Sequence, residues 1–474
     1  MTESEREGPA AAAAAPLRLT TWAAGAGLLA ALLVVNSPHG LGHLLVLAAI
    51  AGALLPGLPL DGWTRGYVAL GCALAAMVLL RDAEWLLVLD ALAIAALGTW
   101  VLVPGRTFGS LFSAGLSIWA RLVRAPRTLL RPLAPLGPQL RPGLQPALRA
   151  TVLTGALLAV FGALFASADM AFAEFANDAV PDVSLGLVPV RVGFGLFIAL
   201  LVGAGWAARS APLTLPRVAR PARPARWEWL VPLVALNALF AVFVAIQLTV
   251  LFGGRRHVLT TAGLGYAEYA RSGFWQLLVA AGLTLGVIAA AVHWGRPETA
   301  RDRAWARALL GLLCAFTIVV LASALRRLDL YEDAYGLTRL RLIVHTTLLW
   351  FVALFGLVAA AGALWRARWL PRAAVASAGI ALLALNVANP DALIAERAVD
   401  RWRDTGKVDA AYLSTLSADA VPALVQLPGR LGECALGEIA PRLAEGDSRT
   451  AYNRSRERAR TALDRRGSAA PGCA

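Results

Sequence analysis

Leu342-Ile-Val-His-Thr-Thr-Leu-Leu-Trp-Phe-Val-Ala-Leu-Phe-Gly-Leu-Val-Ala-Ala-Ala-Gly-Ala-Leu364 runs for 23 residues without an Asp, Glu, Lys or Arg. At a rise of about 1.5 Å per residue, a helix of that length covers the hydrocarbon core of a bilayer, roughly 30 Å thick. Comparable apolar runs recur at 17–35, 41–58, 66–80, 85–103, 149–165, 188–208, 230–252, 275–294, 308–325 and 373–388. The expected fold is therefore all-α, a polytopic transmembrane helix bundle of about 11 spans with a small helical C-terminal tail. Composition agrees. Of the 474 residues, 58% are hydrophobic and 16% charged, and the mean hydropathy is +0.64. Soluble domains carry about 25% charged residues, so a cytosolic globular protein, a disordered chain and a coiled coil are all excluded.

Breaks in composition divide the chain into five parts: an arm at 1–16, a four-span region at 17–103, a basic proline-rich segment at 104–148, a seven-span core at 149–388 and a tail at 389–474. The arm has no basic start and does not read as a cleaved signal peptide. In the third part the apolar residues Phe108, Leu111, Phe112, Ile118, Trp119 and Leu122 recur at helical spacing. They read either as a helix lying in the membrane interface or as one more packed helix. Prolines from Pro126 to Pro146 then break any continuous helix.

The formal net charge is +14, and Lys407 is the only lysine. In a soluble chain such basicity would point to nucleic acid, but arginines flanking apolar spans orient a protein in a bilayer and bind anionic headgroups at the cytoplasmic face. With the N-terminus inside, the cytoplasmic segments hold 22 arginines and the outer loops hold eight. The outer loop at 167–187 has four acids, Asp169, Glu174, Asp178 and Asp182, and no base. An odd number of spans then leaves the C-terminus extracytoplasmic, as expected of a multi-pass protein of the cell membrane.

Seven of the eight outer arginines crowd into two loops. Arg255, Arg256 and Arg271 lie between spans seven and eight, with Glu268; Arg326, Arg327, Arg339 and Arg341 lie between spans nine and ten, with Asp329, Glu332 and Asp333. Basic residues that defy the orientation rule but come with acids read as a specific outer-face network, joined by Tyr266, Tyr269, Tyr331 and Tyr335. In a helix, Glu268 and Arg271 would face each other at i, i+3. The competing reading is that these tyrosines and arginines only anchor helix ends at headgroup level.

The motifs Tyr266-Ala-Glu-Tyr-Ala-Arg271 followed by Gly273-Phe274, then Tyr335-Gly-Leu-Thr-Arg339, and then Asn389-Pro-Asp391 through Asp409-Ala-Ala-Tyr-Leu413 and Leu416-Ser-Ala-Asp-Ala-Val-Pro-Ala-Leu424 resemble an uncharacterised family of bacterial multi-spanning proteins, domain of unknown function 4173. The resemblance covers about 189–427. It implies a fold and a location in the bacterial inner membrane, and no chemistry.

Inside the spans, Asp90 and Arg191 are ionisable groups that hydrocarbon does not tolerate alone; they either neutralise each other or separate into a protonated acid and a snorkelling arginine. Asn237 and Gln247 are expected to hydrogen-bond neighbouring helices. His39 and His43 are four apart, but Pro38, Gly40 and Gly42 disfavour a helical ligand pair; with His257 and His345 they read as turn and interface residues, so no metal site and no cofactor are expected. No phosphate-cradling glycine loop, nucleophile elbow or paired-cysteine motif is present in the sequence. Cys72 and Cys314 fall in spans; Cys434 and Cys473 fall in the tail, as a disulfide or as two free thiols. In the tail, Asp391, Asp409 and Ser417 are expected N-caps, and Pro422 sits in a first turn.

Three function classes remain: a non-enzymatic envelope scaffold or sensor whose outer Arg/Tyr loops meet an envelope protein or a headgroup, a small-solute transporter, and an intramembrane transferase acting on a phosphorylated lipid. The absence of a catalytic motif favours the first. A sealed bundle would favour the first, a midplane cavity the second, and a lateral groove with converging acids and arginines the third.

Overall fold

The computed structural model describes residues 9–59, 61–103, 108–122, 125–130, 188–210, 226–252, 274–294, 299–364, 368–444 and 446–467. The expected span at 149–165, the prolines from Pro132 to Pro146, the acidic loop at 167–187, and Tyr266, Glu268, Tyr269 and Arg271 lie outside these residues. Among the described residues every regular element is helical, so the all-α polytopic bundle stands. Seven helices are long and apolar enough to cross a membrane, and three shorter apolar stretches at Leu19–Leu33, Leu41–Leu54 and Gln276–Val292 fall on other expected spans. Leu92, Leu239, Val242 and Leu283, all on such helices, are each at least 60% exposed, as side chains facing lipid are.

The chain forms two compact units. The first holds residues 1–215 and 443–460. Its helices are α1 (Pro9–Leu33), α2 (Leu41–Leu54), α3 (Gly62–Ala76), α4 (Glu84–Leu102), α5 (Phe108–Leu122), α6 (Ala125–Leu130) and α7 (Val188–Ser210). Small residues let α1 and α7 touch backbone to backbone. A methyl placed on Gly27 would come within 2.5 Å of the Gly195 carbonyl oxygen, and one on Gly195 within 2.7 Å of that of Gly27. Leu19, Ala23, Ala26, Ala49, Leu102 and Val202 close the core around this contact. Helix α5 packs against α7, with Ala114 and Ser117 fully buried. Arg209 at the end of α7 donates to the carbonyls of Pro56 at 2.9 Å and Gly57 at 2.8 Å, satisfying acceptors just beyond the end of α2.

The second unit holds residues 216–442 and 461–474. It contains α8 (Arg226–Phe252), α9 (Phe274–Trp294), α10 (Ala300–Tyr335), α11 (Arg339–Leu364) and α12 (Leu370–Ala388). Leu313, Leu321, Leu348 and Phe355 are fully buried where α8, α9 and α11 meet α10. Helix α10 starts at Thr299, whose hydroxyl accepts from the Asp302 amide at 3.0 Å. It runs 36 residues, about 54 Å, well beyond a bilayer core. The charged stretch from Arg326 to Tyr335, expected to be a loop, is therefore the polar end of this helix. Asn237 donates to the carbonyl of Leu233 in its own helix at 2.8 Å, where a bond to a neighbour was expected.

The tail of this unit folds over short elements: α13 (Pro390–Thr405), α14 (Ala410–Ser414), a 3-10 turn (Ala418–Ala420), α15 (Val421–Leu424) and α16 (Gly429–Leu436). Asp409 caps α14 through the Tyr412 amide at 3.0 Å and Pro422 sits in the first turn of α15, both as expected, whereas Ser417 precedes the 3-10 turn without a capping bond, its hydroxyl donating to Asp419 at 3.1 Å. Asp391 does not cap α13. Asn389, at φ 54, holds that position, and Asp391 lies in the first turn with a different task. Helices α17 (Ile439–Ala444) and α18 (Arg454–Arg466) complete the chain.

Candidate functional site

Only three residues, 336–338, join α10 to α11. Gly336 makes this reversal with φ 80 and ψ 176, a region closed to side chains, and a methyl there would meet the Arg401 guanidinium at 3.0 Å. The tight turn brings the polar end of α10 against the start of α11. Tyr331 and Tyr335 have ring centroids 4.9 Å apart, and the Arg341 guanidinium lies 4.3 Å over the Tyr331 ring while donating to the Gly336 carbonyl.

Arg339 is the anchor between this turn and the tail. Its guanidinium meets the Asp391 carboxylate in a two-pronged pair at 2.8 and 2.5 Å, and that carboxylate, with no side-chain exposure, also accepts from the Ser417 amide at 2.8 Å. The Arg339 amide donates to the Tyr412 hydroxyl at 2.9 Å. Burial pushes the Tyr412 phenol above its ordinary value, partly offset by the hydrogen bond and charge of Arg339.

Beside this anchor is a cavity of about 1010 Å³. The helix ends contribute Glu332 and His345 to its wall, and α13 with its following turn contributes Arg397, Arg401 and Lys407. Acids line it too: Asp400 pairs with Arg403 at 3.1 Å and Asp409 caps α14, while Asp333 and Asp404 stand exposed on the same wall. His345 Nδ1 stands 3.9 Å from Glu332 Oε1 and 4.0 Å from Asp329 Oδ1. The Glu332 Oε1 atom is buried with no hydrogen-bond partner. These groups can hold a polar ligand of some size, and the three facing donors can hold a cation.

Of the sequence-predicted network, Asp329, Tyr331, Glu332, Tyr335, Arg339 and Arg341 are thus gathered at one helix turn. Asp333 lines the cavity and Arg326 is exposed on α10 with Arg327 beside it. Asp90 is 3% exposed in α4, and Arg191 is half-buried near the start of α7. The sequence reading missed Asp391 as partner of Arg339, and it missed Arg397 and Arg401 as lining. Both arginines lie on one face of α13 at i, i+4, a signal that was present in the sequence.

The first unit has a second charged cluster, also missed. Arg456 of α18, 7% exposed, donates to Asp82 at 2.7 Å, to Asp447 at 3.0 Å and to the carbonyls of His39 and Ala451. Asp447 also meets Arg460 at 3.0 Å, and His39 Nε2 meets Asp82 at 3.1 Å. Asn453, fully buried, donates to the carbonyls of Val78 at 3.0 Å and Arg81 at 2.8 Å and accepts from the amides of Ser455 and Arg456. Burial pushes the Asp82 carboxyl up, but His39 and Arg456 outweigh it and hold it below the usual carboxylate value. Cys434 is disulfide-bonded, Cys72 and Cys314 are free, and Cys473 lies outside the described residues.

No curated protein and no solved structure matches the chain. A family model does, over residues 68–427, and its number corrects the one inferred from the motifs: the domain is 4153 and not 4173, and it begins inside α3 instead of near residue 189. With well over half of its length matched, the chain belongs to the family described as domain of unknown function (DUF4153).

Proposed function

We propose that the protein is a non-enzymatic sensor of the cell membrane, and that its receptor site is the cavity between the α10–α11 turn and α13, where it binds a small ligand carrying an anionic group. The cavity itself is the observation that carries this reading. Arg397, Arg401 and Lys407 line a half-open cleft of about 1010 Å³ between turn and tail, together with Glu332 and His345. Arginine forks suit phosphate or carboxylate, and Arg397 and Lys407 are exposed on the wall of this cavity.

The same reading places the N-terminus in the cytoplasm and the cavity outside. Three features support it. Within the first unit, the connections at 36–40 and 80–83, both outer by the arginine count, meet the same tail segment through His39, Asp82 and Arg456. The inner-assigned ends at 54–57 and Arg209 likewise meet each other. A disulfide at Cys434 fits an oxidising compartment.

A transporter is less well supported, because the cavity lies at a helix end and not along a span. A transferase acting on a phosphorylated lipid is the second reading, favoured by Glu332 and His345, two proton-carrying groups on the wall of that cavity. Thermal unfolding of the detergent-solubilised protein separates these. Inorganic phosphate or glycerol phosphate at a hundred times its dissociation constant stabilises the wild type by about 2.7 kcal/mol. Arg401→Ala removes that shift. A wild type indifferent to both compounds and to phosphorylated lipid contradicts the proposal, and release of product from such a lipid replaces it with the transferase.

A further inference from the structure

Asp329 and Glu332 are three residues apart and so share one face of α10, and His345 faces them from α11. Their ligand atoms all lie within 4.8 Å of one another. His345 Nδ1 stands 3.9 and 4.0 Å from the two carboxylates, within ion-pair range but too far for a hydrogen bond, so the three groups converge and Glu332 Oε1 is left without a hydrogen-bond partner. Two carboxylates and an imidazole pointed at a common centre are an unfavourable arrangement for a protein to keep empty. A buried oxygen without a partner forfeits its hydration and gains nothing in return, and Glu332 Oε1 is such an atom in a side chain only 18% exposed.

We propose that Asp329, Glu332 and His345 bind one first-row divalent cation, zinc or manganese. One nitrogen and two oxygen donors match the mixed donor sets such ions take, and three protein ligands leave a coordination position for water or a ligand oxygen. Metal–ligand distances of about 2.0–2.2 Å place donors of one tetrahedral shell roughly 3.3–3.6 Å apart. The three donors, within 4.8 Å of one another, are about an ångström outside that shell. Two of the ligands, Glu332 and His345, also line the cavity, so the open position faces it. This deepens the receptor reading and rests on it for its purpose: the cation draws a phosphate or carboxylate from one side while Arg397 and Arg401 hold it from the other. It also explains how acidic and basic side chains share one wall without cancelling the site.

The test uses the full chain purified in detergent with an affinity tag that contains no histidine, stripped with EDTA and desalted. Zinc and manganese are then titrated calorimetrically, and bound metal is counted by elemental mass spectrometry. The expected result is about one ion per chain, with affinity weakened at least about tenfold in Glu332→Gln and in His345→Asn. Asp329→Asn serves where either variant is lost to misfolding, as judged by gel filtration. No stoichiometric binding by the wild type, or variants that bind as the wild type does, overturns the proposal. Arg397→Ala keeps the metal and loses phosphate binding. Loss of the anion alone therefore reports on the receptor reading, and loss of the metal alone reports on this one.

Discussion

Around Arg456 each charge is answered by another, whereas around His345 the charges converge and stop short. The first cluster joins Arg456 to Asp82 at 2.7 Å and to Asp447 at 3.0 Å, and leaves Arg456 only 7% exposed. The second holds His345 at 3.9–4.0 Å from two carboxylates on the wall of a cavity. Both use acids and bases at helix ends, where polar side chains meet the boundary of an apolar bundle. The difference teaches that charge at such a boundary is no evidence of a site. A closed network of short bonds pins a tail in place, and a cluster that leaves donors unmatched beside open space is one with room for a ligand.

The comparison predicts that stability and binding divide between the two regions. Arg456→Ala removes the arginine that Asp82 and Asp447 share, leaving His39 and Arg460 beside them, and is expected to lower stability by about 3 kcal/mol with no effect on phosphate binding, as read by thermal unfolding and calorimetry. The same cluster sets a pH dependence. The folded-state value of Asp82 is depressed, so its contribution is present above the unfolded carboxylate value and is lost as pH falls through the folded one. Acid unfolding should flatten in Asp82→Asn, and an unchanged profile would remove Asp82 from the latch.

Next in size, Asp391→Ala leaves Arg339 and the Ser417 amide without their acceptor and should cost about 3 kcal/mol, releasing α13 to protease digestion in the intact protein. Gly336→Ala forces a side chain into a glycine-only conformation against Arg401 and should cost about 2 kcal/mol while loosening the cavity. The smallest stability effect belongs to Arg397→Ala. This exposed side chain should change the unfolding temperature within the range of a surface substitution, about 0.5 kcal/mol, yet lose phosphate binding. A large stability loss there would place Arg397 in a closed network and erase the contrast.

Much of the fold was legible because hydropathy needs no long-range information. Each apolar run that falls on described residues became a helix, and the tail cap at Asp409 follows from local chemistry. The helical end of α10 was not legible as helix. Hydropathy falls at Arg326, but nothing local breaks the helix until Gly336, and Leu328 still packs into the core. The charged residues at 326–341 could be singled out by their conflict with the orientation rule, while their partners could not. Asp391 lies 52 residues from Arg339 and Asp82 lies 374 from Arg456, and no periodicity spans such distances. The metal-ligand set was missed for a related reason. His345 sits inside an apolar run and was grouped with other histidines, while its carboxylate neighbours were counted with the arginines.

Native mass spectrometry of the full chain, released from detergent in the presence of millimolar glycerol phosphate, tests the central claim most directly. Uptake of one anion per wild-type chain, absent from an Arg397→Ala, Arg401→Ala double variant of unchanged stability, is the predicted result. Equal uptake by the two proteins, or none by either, would contradict it.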